Sequence, residues 1–406
     1  MRLRILGLAL CAVAGWVFTL SAADKATDKA TDQKAGVSGD KIRFVRTQLD
    51  PKFRSEGVAV GDLNKDGKAD IAAGGLIYLA PDWKPRPIIE EPKAYDPHGY
   101  SNMFCQWIED LNGDGWNDVL SVDFPGQQTW WFENPKGADS TWKRHVLTPV
   151  TNNETPAYLD VDGNKKRALV CAYSTDPQNV DGPERRMGII RRTDDPNALW
   201  KIQPVSEKAT PGTQKYSHGL GVGDVNKDGR NDVLIKEGWW EGPAKADGEW
   251  KFHAAPFGEE CANIHVYDFD GDGDNDVLTS AAHQLGIWWH EQTPDGWKTH
   301  VIDKSFSQTH SLMLVDMNGD GLKDFVTGKR YWAHGPNGDV DPGAPAVIYW
   351  FELSRKDGKP VWTPHQVDND SGVGTQFDVA DVDGDGLLDV VTSNKKGVHY
   401  FRQVRE

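Results

Sequence analysis

Short apolar runs recur along the chain from Lys41 onward, each bounded by clusters of Gly, Asn, Asp and Pro. Such runs are too brief for helices and read as β-strands. One pair repeats throughout. A strand with apolar residues at alternate positions (Val58 and Val60; Leu220 and Val222; Ile264 and Val266; Leu312 and Leu314) enters an acidic turn, and a second strand such as Val119-Leu120-Ser121-Val122 or Val233-Leu234-Ile235 leaves it. A third, aromatic strand follows, as Trp130-Trp131-Phe132, Trp239-Trp240, Trp288-Trp289, Tyr331-Trp332 with Tyr349-Trp350-Phe351, and Tyr400-Phe401. A fourth opens on Trp83, Trp142, Trp200, Trp250, Trp297 or Trp362. Aromatic pairs repeated once per unit predict packing between neighbouring sheets.

The acidic turn occurs seven times, beginning at Asp62, Asp110, Asp160, Asp224, Asp268, Asp316 and Asp381, at separations of 44 to 65 residues. Variable loops on a constant four-strand unit predict an all-β, seven-bladed β-propeller over residues 41–406. The last unit ends without a fourth strand. Lys41 to Leu49 alternates like one, so the N-terminal strand is expected to pair with the C-terminal unit and close the ring, removing free sheet edges.

Composition agrees: 17 Trp, 42 Gly and 23 Pro favour strands and turns over helices. A formal net charge of -16 offers no surface to neutralise phosphate, which argues against nucleic acid as a partner. At the N-terminus, Arg2 and Arg4 precede an apolar run from Ile5 to Leu20 that ends in Ser21-Ala22-Ala23. Residues 1–23 read as a signal peptide, which predicts a secreted or periplasmic protein with no membrane span after cleavage. Residues 24–40, nearly devoid of large apolar side chains, read as a disordered linker. Cleavage removes Cys11 and leaves Cys105, Cys171 and Cys261 in apolar strands, where buried thiols are expected.

The turn has the form D-x-[DN]-x-D-G-x-x-D, with oxygen ligands at alternate positions and Gly where the chain reverses. Hard oxygen donors at this spacing suit Ca2+. Six loops are complete, and their expected ligands are Asp62, Asn64, Asp66 and Asp70; Asp110, Asn112, Asp114 and Asp118; Asp224, Asn226, Asp228 and Asp232; Asp268, Asp270, Asp272 and Asp276; Asp316, Asn318, Asp320 and Asp324; and Asp381, Asp383, Asp385 and Asp389. About six structural Ca2+ ions are expected, one for each complete loop. The Asp160 loop has Asn164 at the fifth place and Ala168 at the ninth, so it is expected to bind weakly or not at all. Flanking strands and Ala73 at the twelfth place of the first loop exclude an EF-hand. These repeats are similar to the FG-GAP/VCBS family of integrin α-subunit propellers and exported bacterial proteins. That resemblance implies a calcium-stabilised propeller and leaves the function open.

Because the strands flanking each loop are antiparallel, the far end of each unit lies away from the proposed calcium. Six residues before each loop, the register gives Glu56, Phe104, Glu154, His218, Ala262, His310 and Thr375. The ends of the second strands add Asp123, Lys236, His283, Lys329, Arg330 and Lys395, and a loop carries His98 to the same face. With the first strand innermost, these residues ring the channel mouth. His218 and His310 are suited to acid–base work and Glu154 to sharing the proton, while Lys236 or Lys329 would polarise a carbonyl. Glu56, His98, His265, His283, Arg330 and Asp123 are expected substrate-binding groups. His218, His310 and Glu154 also form a candidate transition-metal set. His145, His300 and His365, which follow the outer-strand Trp, are expected at the surface.

Two function classes stay open. The segments around His218, His265 and His310 resemble the propeller of aldos-2-ulose (anhydrofructose) dehydratases, which implies a carbon–oxygen lyase acting on a keto-sugar. The alternative is a non-catalytic lectin-like or adhesion propeller that holds glycan or an extracellular protein. No complete Ser-His-Asp arrangement, phosphate loop or dinucleotide fingerprint is visible.

Overall fold

The computed structural model describes residues 41–245, 248–258 and 261–405. The expected signal peptide and the whole of the expected linker, residues 1–40, lie outside the described residues. The described residues form 28 β-strands and no helix.

The strands form five four-stranded sheets and one eight-stranded sheet in a propeller arrangement. In each unit the strand before the acidic turn pairs antiparallel with the one after it, as Cys105–Glu109 does with Asp118–Val122. The latter pairs with the aromatic strand Gln127–Glu133, and that with Lys143–Thr151. First strands of successive units touch one another, Asp378–Ala380 against Ala59–Gly61 and Ala59–Gly61 against Cys105–Glu109, and so line the middle. Apolar clusters lie between neighbouring sheets. Trp131 and Leu147 of one sheet pack with Leu169, Ile190 and Trp200 of the next, and Phe269 and Trp289 pack with Phe325 and Phe351.

The eight-stranded sheet arises where the inner strand Leu220–Gly223 pairs in parallel with its neighbour Asn263–Tyr267. Glycine permits this fusion. A Cβ at Gly221 would collide with the carbonyl oxygen and side chain of Ile264, and one at Gly223 with Val266. Without those side chains the two inner backbones approach closely enough to hydrogen-bond.

The N-terminal strand Ile42–Asp50 pairs antiparallel with Gly397–Arg405, from Ile42 opposite Arg405 to Asp50 opposite Val398. Both ends of the described chain therefore meet in one sheet. Tyr331-Trp332, expected in a third strand, instead lies in a turn, and the third strand of that unit is Ile348–Lys356 alone. Of the histidines expected at the surface, His145 is buried, while His300 and His365 are partly exposed. His145, His253, His300 and His365 stack on Trp131, Trp239, Trp289 and Trp350 at ring-centroid distances of 4.2 to 4.4 Å. Each also meets a Glu carboxylate, at 2.7 to 2.9 Å. They bind the third strand to the fourth and are not idle surface residues.

Cys105, Cys171 and Cys261 are buried and free, and burial pushes their thiols up, Cys171 and Cys261 to about 12.

Two outcomes follow. A chain beginning at Pro51 leaves Gly397–Arg405 as an open edge; its melting temperature should fall by about 10 °C or more, with self-association on size-exclusion chromatography. Gly221→Ala should cost about 1–3 kcal/mol in urea unfolding by forcing the two inner strands apart.

Candidate functional site

The acidic turns define one end of each sheet. Glycine at the sixth place takes a left-handed conformation in all six complete loops, as at Gly67 (φ 83°) and Gly273 (φ 105°). In the Asp160 loop Lys165 adopts this conformation (φ 64°) at the cost of strain. The first Asp accepts N–H groups from its own loop, as Asp62 does from Lys65 (2.7 Å) and Gly67 (3.0 Å).

The ninth Asp is buried in every complete loop. One of its oxygens accepts the N–H of the loop's second residue, the other an N–H near the third strand. Asp118 takes Leu111 (2.9 Å) and Asn134 (2.8 Å); Asp324 takes Met317 (3.0 Å) and Leu353 (2.8 Å). Burial pushes Asp118 and Asp324 up to about 7, against the lowering effect of these amides. The loop carboxylates of Asp268, Asp270 and Asp276, and of Asp381, Asp383 and Asp385, lie close enough to share one ion. In the incomplete loop, Arg191 instead forks onto Asp162 through Nε (2.9 Å) and Nη2 (2.8 Å).

At the opposite end the inner strands deliver a buried polar cluster. Arg330, 1% exposed, donates through Nε to Glu56 Oε2 (3.3 Å) and through Nη1 to Glu154 Oε2 (3.2 Å). The same Nη1 lies 2.8 Å from His310 Nε2. His310 Nε2 is 3.0 Å from His218 Nε2, and Glu154 Oε2 is 3.3 Å and 3.4 Å from those two nitrogens. His283 packs edge-on against His218 with ring centroids 4.8 Å apart. Asp339 Oδ1 meets His283 Nδ1 at 3.3 Å and His334 Nδ1 at 2.8 Å. Two sets could hold a metal ion here: His218, His283 and His310, or His283, His334 and Asp339.

The electrostatics follow from burial and proximity. Burial alone would raise Glu154, but His218, His310 and Arg330 outweigh it and hold its carboxyl well below the usual range. Burial and the adjacent Arg330 keep His310 neutral, well below an ordinary imidazole. Burial also lowers His283. Burial of Asp339 opposes ionisation, yet its bonds to His283 and His334 hold it low.

Aromatic rings surround this base. Tyr100 and Tyr216, 38% and 44% exposed, flank Phe124, each with its ring centroid 5.6 Å from that of Phe124. Trp332 stacks on Tyr331 and lies 5.2 Å from the His98 ring. Lys395 Nζ lies over Tyr100 and donates to the Trp332 carbonyl at 2.6 Å; burial lowers its pKa to about 8. Lys236 lines a recess of about 270 Å³ together with Tyr216, Ser217 and His218.

Glu56, Glu154, His218, His283, His310 and Arg330 thus come together, and His98 lies beside the Trp332 rim. Other expected residues do not join them. His265 is spent on the Leu312 carbonyl (2.8 Å), and Asp123 accepts from Trp130 Nε1 (2.9 Å) and the Met103 N–H (3.2 Å). Lys329 is buried, donates to Ser307 Oγ (2.7 Å), and is pushed down to about 8 by burial. His334, Asp339, Tyr216 and Trp332 escaped the register argument because they lie in loops. The signal available for the first two was length: the 65 residues between Asp316 and Asp381 leave room for a long excursion.

No curated protein sequence matches the chain. Among solved structures it is similar to an Agrocybe aegerita lectin described as recognising non-reducing terminal N-acetylglucosamine, with 14% identity, TM-score 0.48, and coverage of 90% of this chain and 86% of that one. It is also similar to rhamnogalacturonan lyase YesW (13% identity, TM-score 0.42, coverage 88% and 72%) and to YCF48 from Cyanidioschyzon merolae (11%, 0.43, 89% and 98%). At these values the likeness carries no argument about ligand or activity. The model of the FG-GAP-like repeat matches residues 110–171 and 243–327, which contain the Asp110, Asp160, Asp268 and Asp316 loops. The chain carries FG-GAP-like repeats in a β-propeller arrangement of sheets.

Proposed function

We propose that this chain is an exported, calcium-stabilised, seven-bladed propeller that binds a carbohydrate-type ligand at the mouth opposite the aspartate loops and eliminates water from it. Counting the eight-stranded sheet as two blades gives seven. The observation that carries the reading is the convergence of His218 Nε2, His310 Nε2 and Glu154 Oε2 within 3.0 to 3.4 Å at the foot of an aromatic rim. Rings expose flat apolar faces on which sugar C–H surfaces stack, while a few convergent polar groups fix orientation.

The chemistry suits a keto-sugar. His218, which lines the recess, takes the proton beside the carbonyl, the C–O bond at the next carbon breaks, and the imidazolium so formed, held by Glu154, returns its proton to the departing oxygen, which leaves as water. Lys236 lines the recess beside His218 and would polarise the carbonyl. Lys329 is committed to Ser307 and does not fit that role. The six complete loops fit Ca2+ by donor type, and the ion would offset repulsion among their clustered carboxylates. Export rests on residues 1–23 alone.

A second reading is favoured by the exposure of Tyr100 and Tyr216: a lectin-like propeller that stacks sugars without turning them over.

Chelation of the purified chain should lower its melting temperature by about 10 °C or more, reversed by Ca2+ and not by Mg2+. An unchanged melting temperature sinks the calcium reading. With a panel of sugars and keto-sugars in calorimetry, Tyr216→Ala and Tyr100→Ala should each weaken binding roughly tenfold. His218→Ala and His310→Ala should abolish formation of the unsaturated product, followed by absorbance, while leaving measurable affinity. If the unaltered protein binds a sugar and never turns one over, the lectin reading replaces the lyase; if none binds, both fall.

A further inference from the structure

We propose that the sugar bound at this mouth carries a carboxylate, and that Lys215 is the residue that selects it. The inference rests on the carbohydrate reading above and narrows it to acidic sugars, of the uronic or keto-aldonic acid class.

Lys215, Tyr216, His218, Lys236 and Glu237 line the recess of about 270 Å³ beside the histidines. Two of these residues are cations and one is an anion. Lys236 Nζ stands 3.9 Å from Glu237 Oε1, so those two charges offset one another. Lys215 is left over. Among the described residues it forms no ion pair, and its Nζ sits over the rings of Tyr216, 4.6 Å from the centroid, and Phe124, at 5.4 Å. The other acids of the mouth are committed, Glu56 and Glu154 to Arg330 and Asp339 to His283 and His334. A ligand carboxylate therefore meets one uncompensated ammonium group in the recess, where a neutral sugar leaves that charge unanswered.

Lys395 repeats the arrangement on the other flank of Phe124. Its Nζ lies 4.9 Å over Tyr100 and donates to carbonyls, Trp332 at 2.6 Å and Ala333 at 3.3 Å, with no ion pair among the described residues. Each exposed tyrosine on which a sugar ring would stack thus has an ammonium group beside it. A chain of formal charge -16 repels an anion at long range, so an acidic ligand is admitted only where local cations reverse the field.

The loop that carries Lys215 is fixed before any ligand arrives. The Lys215 N–H donates to Asp181 Oδ1 (2.6 Å) and the Tyr216 N–H to the Asn152 carbonyl (3.0 Å). The Lys215 stem runs along Gly126, where an added Cβ would stand 3.0 Å from Lys215 Cε. Tyr216 itself sits at φ 67°, a left-handed conformation strained for an aromatic residue. Such strain persists only where the surroundings impose it, and here it presents ring and ammonium group together.

The test uses the full chain in saturating Ca2+ and calorimetry on matched pairs: galacturonate against its methyl ester and galactose, and 2-ketogluconate against fructose. Each acid should bind about tenfold or more tightly than its neutral counterpart, as expected for a charge-assisted hydrogen bond, and the advantage should shrink as salt is raised. Lys215→Met should remove that advantage and Lys215→Arg should largely restore it, with folding of both variants checked by circular dichroism. Neutral sugars that bind as tightly as their acids overturn this inference and leave the carbohydrate reading standing. An acid preference that persists in full in Lys215→Met overturns it too, since Lys215 would then not be the selecting residue. If neither acids nor neutral sugars bind, the inference falls together with the reading on which it rests.

Discussion

Six buried aspartates, the ninth residues of the complete loops, are what the sheets hang on. Each spends both oxygens on backbone amides, one at the start of its own turn and one near the aromatic strand, so a single side chain ties the turn to three strands. A carboxylate buried this way is costly unless its lone pairs are met, and here they are met by amides that strand geometry would otherwise leave unpaired. Ala168 in the incomplete loop lacks this tie, and Arg191 on Asp162 clamps the turn from outside.

Anchoring one end of every unit leaves the other end to vary. The inner strands end in different side chains at equivalent positions, and the variation is not random in space. Histidines come from three successive units, at His218, His283 and His310, while the acids Glu56 and Glu154 face them from others. Arg330 crosses between the two groups, bridging side chains 274 and 176 residues away in sequence. The scaffold repeats while the site is a single asymmetric constellation, which is how one propeller architecture supports different chemistries.

Much of the scaffold was legible because strand period and turn chemistry are local. The acidic turns, the aromatic third strands, the Trp-led fourth strands and the closing strand from Ile42 follow from spacing alone. The rule of six residues before the turn also brought Glu56, Glu154, His218 and His310 into one list, since equal register places residues at equal height in equivalent sheets. It failed where the chain leaves register. Tyr331-Trp332 looked like a third strand and is a turn, and the excursion beyond it brings in His334 and Asp339. Its contents were in plain view, yet nothing local says which way an excursion folds. His265 and Asp123 failed differently, because a neighbouring backbone carbonyl and an indole N–H consume them.

What the sequence by itself determined is the β-unit, its repetition and the acidic turn, because each depends on residues within a dozen positions of one another. Only the tertiary structure decided which inner strands touch, and with that the fusion at Gly221, the crossing of Arg330 and the meeting of four imidazoles. The reason is distance along the chain. Side chains dozens to hundreds of residues apart become neighbours through the angle between sheets and the gap between inner strands, quantities that packing sets and no local pattern encodes.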